Sequence, residues 1–416
     1  MAQVLTPLSD AQTIEETVPT VKAATHEEMS VLLIDDPRLL EDHKKAWDEL
    51  AASALEPNVF YESWMLLPAL RKFGSGNIRI ALIYAKDTAR PNGPRVLCGL
   101  FPVELESRYK RLPLKVLRLW QHTYCCLCTP LVRADCAQEV LSAFFNWVEG
   151  ESREPALIEF QSVSGDGPFH HALTDAFNHR AWLSFVSDLH TRALFRPRTD
   201  ADSYLRAAMS REHRKDLRRK ERALLEEGQI EYSALDREED LQVWLEEFLE
   251  LESRGWKGKT HSAMACSEAS RQYFIEVATE AFKKNKLMMM ALRIDQRAIA
   301  MKCNFLSGAG SFAFKIAFDE DHARRSPGLL LEVENIRRLH QQPSTAWMDS
   351  CARSNHPMVN RLWLDRRAIQ SVLISSGRGA GDLAVSLMPI MRWLHRKMKR
   401  DANHKTEVNH EFRADD

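Results

Sequence analysis

Three apolar runs follow one another at residues 287–294, 298–306 and 311–318, read as LMMMALRI, AIAMKCNFL and SFAFKIAF. Short turn-forming breaks at Asp295-Gln296 and Gly308-Ala309-Gly310 leave room only for an antiparallel meander of three strands. The third run feeds a polar stretch, DEDHARRSP, and then GLLLEVENIRRLHQ, whose apolar residues recur at helical spacing. A sheet that hands its last strand to a helix in this way needs cover on its faces, which makes the class α/β (α+β), a mixed and mainly antiparallel sheet flanked by helices.

The same broad order occurs earlier in the chain. SVLLID reads as a strand, LLEDHKKAWDELAASA and FYESWMLLPALRKF as helices, and IRIALIYA and RVLCGLFPVEL as a hairpin about the turn-forming residues 90–94. LKVLRLW and LCTPLV continue that sheet, AQEVLSAFFNWVEG is a helix, ALIEFQSV a strand, PFHHALTDAFNHR a helix, and WLSFVS with HTRALFRP the closing strands. At 416 residues the chain exceeds what one core usually serves, so two halves of similar size are expected although no letter-by-letter repeat relates them. We place a flexible tail at 1–28, a first domain at 29–195, a second at 196–400 and a further flexible tail at 401–416. In the second half YLRAAMSREHRKDLRRKERALLEEG reads as one long helix, IEYSAL as a strand, LQVWLEEFLELESRG and SRQYFIEVATEAFKKNK as helices, and AWMDSC, RLWL and AIQSVLIS as late strands.

Charge excludes some functions. Lys plus Arg number 57 against 58 Asp plus Glu, so the chain lacks the basic excess of a general nucleic-acid binder and must meet any anion locally. The N-terminal residues are acidic where an export signal is basic, and no run approaches a membrane span, so a cytoplasmic protein is expected. Cys125, Cys126, Cys128 and Cys136 lack the paired spacing of a zinc finger and read as buried thiols, with no metal expected. No Gly-x-Ser-x-Gly elbow is present, and residues 377–382, GRGAGD, lack the Lys-Ser/Thr of a nucleotide loop and read as a capped connection.

Chemistry concentrates where the third strand meets its helix. Ser326 suits an N-cap, Pro327 the first helical position, and Gly328 leaves room beside backbone N–H groups that have no intrahelical partner. With Arg324 or Arg325 as countercharge this outlines a seat for a pyrophosphate, although an ordinary well-capped helix has the same local pattern. Strand alternation sets Lys315 with Ala313 and Ala317, opposite Phe312, Phe314, Ile316 and Phe318, so it points away from the main apolar face, where it could bind a carboxylate or phosphate or hold an oxyanion. Asp349 ends a strand, a place that often faces a ligand crevice, and is a candidate base; His356 in the following loop is the second. Arg211, Arg214, Arg218 and Arg222 recur at three and four residues and form a cationic stripe, read either as a solvated helix face or as the seat of an anionic partner.

The run FKIAFDEDHARRSPGLLL resembles the signature of the CelD-like and BioF-like acetyltransferases, GNAT relatives that also resemble the FemABX aminoacyl transferases. The basic helix SREHRKDLRRKERALLEEG, the element Gly255-Trp256-Lys257-Gly258 and the strand-ending Asp349 occur in the family's order. The resemblance covers residues 195–375 and implies two tandem GNAT-like domains, with the chemistry in the second. It implies an acyltransferase that uses acetyl-CoA or another acyl-CoA as donor and an amine or hydroxyl of a small molecule, glycan or lipid precursor as acceptor. Ser326, Gly328, Leu329 and Leu330 would then bind the donor together with Arg324 and Arg325. Arg214, Arg218, Trp256, Lys257, Asn360 and Arg361 would bind the acceptor. Two departures stand out: Leu330 replaces a small residue in the donor loop, and Val359-Asn360 stands where relatives carry Tyr-Lys. An aminoacyl-tRNA donor, or a silent binding protein on the same fold, is the alternative.

Overall fold

The computed structural model describes residues 29–86, 95–150, 155–342, 344–377 and 379–411. The expected tail at 1–28 and the turn at 90–94 lie outside them. The strands are β1 (Met29–Ile34), β2 (Ile78–Ala85), β3 (Val96–Glu106), β4 (Val116–Leu119), β5 (Leu131–Val132), β6 (Leu157–Ser164) and β7 (Ser184–Phe195). They continue with β8 (Ile230–Ala234), β9 (Leu287–Ile294), β10 (Arg297–Ser307), β11 (Gly310–Phe318), β12 (Trp347–Asp349) and β13 (Asp365–Ser375). The helices are α1 (Lys44–Ala52), α2 (Ser63–Phe73), α3 (Ala137–Gly150), α4 (Pro168–Asn178), α5 (Ala201–Ala208) and α6 (Arg211–Leu225). Then come α7 (Glu238–Arg254), α8 (Trp256–Lys259), α9 (Glu268–Lys283), α10 (Pro327–Gln341), α11 (Pro357–Leu362) and α12 (Gly379–Glu411).

Among the described residues these strands form one sheet in the order β1-β2-β3-β4-β6-β13-β7-β12-β11-β10-β9-β8, with β5 beside β3. Two arms mirror each other. In each, four strands run antiparallel and the fourth then pairs in parallel with the next, β4 with β6 and β11 with β12. The arms meet at the long antiparallel pair β7 and β13. Strand β13, which follows the second arm in sequence, therefore lies between β6 and β7.

The core crosses the junction as well. Phe60 meets Phe312 edge-on at 5.7 Å between ring centres, Trp64 lies 5.5 Å from Phe305, and Tyr273 of α9 donates its hydroxyl to Met65 Sδ of α2 at 3.0 Å. Aromatic pairs of this geometry add to the burial of their rings, so the halves share apolar stabilisation. A second apolar cluster beneath α10 belongs to the second arm, with Leu331, Ile336, Trp363 and Tyr204 fully covered.

Local chemistry explains the turns. Asp295 and Gln296 take φ of 47° and 71°, the left-handed pair that a two-residue hairpin requires, and Asp295 Oδ1 accepts the Gln229 N–H at 2.9 Å. The helix expected to be continuous from Tyr204 breaks at Met209-Ser210, because Ser210 turns extended and its hydroxyl accepts the His213 N–H to start α6. Residues 361–364, expected as a strand, instead finish α11 and leave it. Pro357 supplies a pre-set first helical φ, and the Asn360 N–H closes onto the His356 carbonyl. The final helix, expected to stop at Arg400, continues to Glu411. Of the cysteine cluster, Cys125, Cys128 and Cys136 are buried and Cys126 is half-buried; among the described residues no three His, Cys, Asp or Glu side chains stand together as a metal site.

Candidate active site

The sheet opens at β11. Its parallel contact with β12 covers only Gly310, Ser311 and Phe312, while β11 runs on to Phe318. The opened edge borders a cavity of about 1000 Å³ lined by Ile316 and Phe318, the start of α10, one face of α6, Lys257, and the segment His356 to Leu362. A strand edge without a partner leaves carbonyls to be satisfied. Lys257 does this for Ile316, donating from Nζ at 3.0 Å.

A β-bulge also alters what β11 shows to each side. Cys303 pairs with Lys315 but Asn304 pairs with Ala313, so Phe314 is an extra residue and the alternation flips across it. Phe314 and Ala317 consequently join one apolar cluster, Ala313 and Phe318 the other. The simple alternation expected for Lys315 therefore fails. It lies on the side of Phe314, away from Ile316 and the cavity, with Nζ 3.0 Å from Glu252 Oε1 and 5.3 Å from the Tyr124 ring centre.

Glu252 is the pivot beneath this edge. Its side chain is fully buried, Oε1 accepts from both Lys257 and Lys315 at 3.0 Å, and Oε2 accepts the Met264 N–H at 2.8 Å. Burial raises its carboxyl, but the two ammonium groups outweigh that and hold it below its ordinary value. Burial depresses Lys257, against the pull of Glu252. Two lysines share one carboxylate, so the group keeps an excess positive charge at the cavity wall.

The start of α10 departs from the expected cap in an informative way. Ser326 is left-handed at φ 54°, ψ 51°, and its side chain caps nothing; its Oγ instead accepts from Lys220 Nζ at 3.1 Å. Its carbonyl takes the N–H groups of Leu329 and Leu330, which leaves the Gly328 N–H without a partner among the described residues. A Cβ added at Gly328 would come no nearer than 3.5 Å to Phe318, an ordinary contact, so the glycine leaves space without being required by the backbone. The cavity thus holds a free backbone donor, a helix dipole end and the Lys220 ammonium, which also pairs with Asp216 Oδ2 at 3.1 Å on the same wall.

Arg325 is diverted, donating from Nε to Glu227 at 3.0 Å, and Arg324 is exposed; neither lines the cavity. Leu330 turns into the core at 3% exposure, so the large residue at that position does not narrow the seat. Lys257, His356 and Arg361 do line it. Asn360 does not, donating from Nδ2 to the Ser354 carbonyl at 2.6 Å. Trp256 opens α8, and its side chain lies outside the described part of the structure. Arg214 and Arg218 face a neighbouring depression of about 150 Å³ that they share with Arg206, Glu221, Tyr232 and Arg337.

Asp349 is not in the crevice. It is fully buried, 2.6 Å from Arg192 Nε and 3.0 Å from Arg367 Nη1, and Arg367 continues to Glu56 at 3.3 Å. Burial raises its carboxyl, but the two guanidinium groups more than reverse this and leave it below its ordinary value. A carboxylate so held is a poor proton acceptor. It ties β12 to β7 and β13 at the junction of the arms. His356, by contrast, borders the cavity; its buried Nδ1 has no partner among the described residues, and burial depresses it so that the ring is neutral near pH 7.

Residues 211–354, from the start of α6 to just past β12, match the family described as "Acetyltransferase (GNAT) domain". Among solved structures, a conserved protein of unknown function from Bacteroides thetaiotaomicron VPI-5482 superposes with a TM-score of 0.50 at 10% identity, over 83% of this chain and 99% of that one. FemX superposes with a TM-score of 0.51 at 8% identity, over 80% of this chain and 95% of that one. The fold is GNAT-like. No curated protein matches the sequence significantly.

Within this GNAT-like arm, sequence reasoning missed Lys220, His213 and Asp216, which with Leu217 form the face of α6 toward the cavity. The spacing 213, 216, 217, 220 was available, but the arginine stripe one step round the helix was the stronger pattern. Glu252 was missed as well, hidden in the acidic run LEEFLELESRG, where only burial distinguishes it from Glu246, Glu247 and Glu250.

Proposed function

We propose that the chain is an acyltransferase that takes its acyl group from acyl-CoA, with the donor's pyrophosphate at the start of α10 and the acceptor entering from the α11 side. One observation carries the reading: the unpartnered Gly328 N–H and the Lys220 ammonium meet at a large cavity beside an opened sheet edge. A phosphate fits these groups by taking the backbone donor and drawing Lys220 away from Asp216, and no side chain occupies position 328. The finer resemblance to the CelD-like and BioF-like enzymes rests on the motifs quoted above and agrees with this placement.

When bound, the thioester supplies an activated acyl carbon. The residues of the chain do the rest. Neutral His356, on the cavity wall, accepts the proton that an amine or hydroxyl loses as it attacks the acyl carbon; the C–S bond then breaks and coenzyme A leaves as the thiolate, which takes up a proton to become the free thiol. Lys257, fixed by Glu252 and the Ile316 carbonyl, presents positive charge where an oxyanion develops. Arg361, exposed at the cavity rim with no carboxylate partner among the described residues, orients an acceptor that carries negative charge.

One observation favours an aminoacyl-tRNA donor instead. Arg214 and Arg218 make no ion pair among the described residues, and Arg206 and Arg337 flank the same depression, which gives a nucleic-acid backbone a second cationic hold. Thermal unfolding of the full chain with coenzyme A, acetyl-CoA or tRNA separates the readings. A specific ligand at about 100 times its Kd stabilises by ~2.7 kcal/mol. Stabilisation by the two coenzymes alone supports acyl-CoA, stabilisation by tRNA alone supports the second reading, and none by any of the three refutes both.

A further inference from the structure

The last helix carries apolar surface that the fold does not use. α12 docks through Ala384, Val385 and Met388 against Tyr109, Leu157 and Leu373, and Asp382 accepts the Ser375 hydroxyl at 2.5 Å. Arg392 ends the docked part, donating to the Val186 carbonyl at 3.1 Å. The opposite face is bare. Leu383, Leu387, Ile390 and Leu394, spaced four, three and four apart, are 61%, 42%, 55% and 45% exposed, and Trp393 is 59% exposed beside them. A face of this size on a soluble monomer marks something that covers it.

Charge selects the cover. Between Leu383 and Arg400 the sequence has Arg392, Arg396, Lys397, Lys399 and Arg400 and no Asp or Glu, although the whole chain is balanced to a net charge of -1. A helix whose sequence carries five cations and no acid over this stretch disfavours pairing with a second copy of itself and complements an anionic, apolar-beneath surface. No described helix is long and apolar enough to cross a membrane, so the contact is along a bilayer surface. We propose that α12 is an interfacial helix that lays the Leu383 to Leu394 face onto a bilayer containing anionic lipid, with the basic residues at headgroup level. The proposal is independent of the acyl donor.

Flotation of the full chain tests it, using vesicles of phosphatidylcholine alone and of phosphatidylcholine with about one third phosphatidylglycerol. The wild type should float with the anionic vesicles, far less with the neutral ones, and less as salt is raised. Leu387→Asp with Ile390→Asp changes exposed positions, so the melting temperature should hold while vesicle affinity falls about tenfold or more. Arg396→Glu with Lys399→Glu should remove the preference for anionic lipid. Absence of flotation by the wild type, or equal flotation of the double aspartate variant, overturns the proposal. So does a concentration-dependent dimer in sedimentation equilibrium that the aspartate variant disperses, since a second copy would then cover the face.

Discussion

On the proposed reading the base is His356, the second candidate from sequence, and Asp349, the first candidate, has the structural role. With His356 depressed by burial, its ring loses the ability to accept a proton only as pH falls through a value below the ordinary 6.5, so turnover should show an acidic limb there. His356→Gln should remove that limb and lower the rate by ~10²–10⁴; an unchanged limb in the pH profile of kcat/KM would take the base role from it. Asp349→Asn should act on the fold instead. It leaves Arg192 and Arg367 buried with only Glu56 for charge, a loss of about 3–5 kcal/mol in chemical denaturation, with the limb retained. Because the folded carboxyl is depressed, its stabilisation is present above the ordinary 3.8 and is lost as pH falls through the lowered value. A variant within about 1 kcal/mol of wild type that lacks the limb would return the base to Asp349. All four of Ser326, Gly328, Lys257 and Arg361 line the cavity; the first two were legible because helix-start chemistry is a local pattern, the other two only through the family resemblance. Lys220 was not, because what makes it part of the site is a hydroxyl 106 positions away.

At the scale of elements, the site depends on two irregularities of β11, its bulge at Phe314 and its early parting from β12. The meander, its two turns and the strand-to-helix hand-over could be read from spacing, but a bulge adds no residue type of its own and so left the facing of Lys315 inverted. Lys257 stands where both irregularities are compensated. Lys257→Met would strand the Ile316 carbonyl and leave Glu252 with Lys315 as its one cation, costing about 1–3 kcal/mol and lowering kcat more than it raises KM; a change confined to KM would make Lys257 a binding residue only. α6 presents 213, 216 and 220 to the cavity and 214, 218 and 221 to the smaller depression, with Leu217 bordering both. Arg214→Glu with Arg218→Glu should therefore spare coenzyme A affinity and flatten the salt dependence of turnover on an anionic acceptor. Lost coenzyme A affinity in this variant would mean that the two faces serve one ligand.

For the whole molecule, the two arms were visible as a repeated order of elements, whereas the crossing of β13 was not. AIQSVLIS is apolar enough to suit any central place in a sheet, and nothing in such a run names its neighbours. Its place makes the halves interdependent: residues 1–195 expressed alone should aggregate, since β6 and β7 would both lack the strand that lies between them. A soluble, cooperatively folding fragment would contradict that dependence. The central claim concerns what the second arm holds at the opened edge of β11. Calorimetric titration of coenzyme A into the full chain and into Gly328→Glu tests it most directly, because position 328 has room for a side chain but none for a negative charge beside a phosphate. The account predicts saturable binding by the wild type and none by a variant that melts as the wild type does; equal affinity in the two proteins would contradict it.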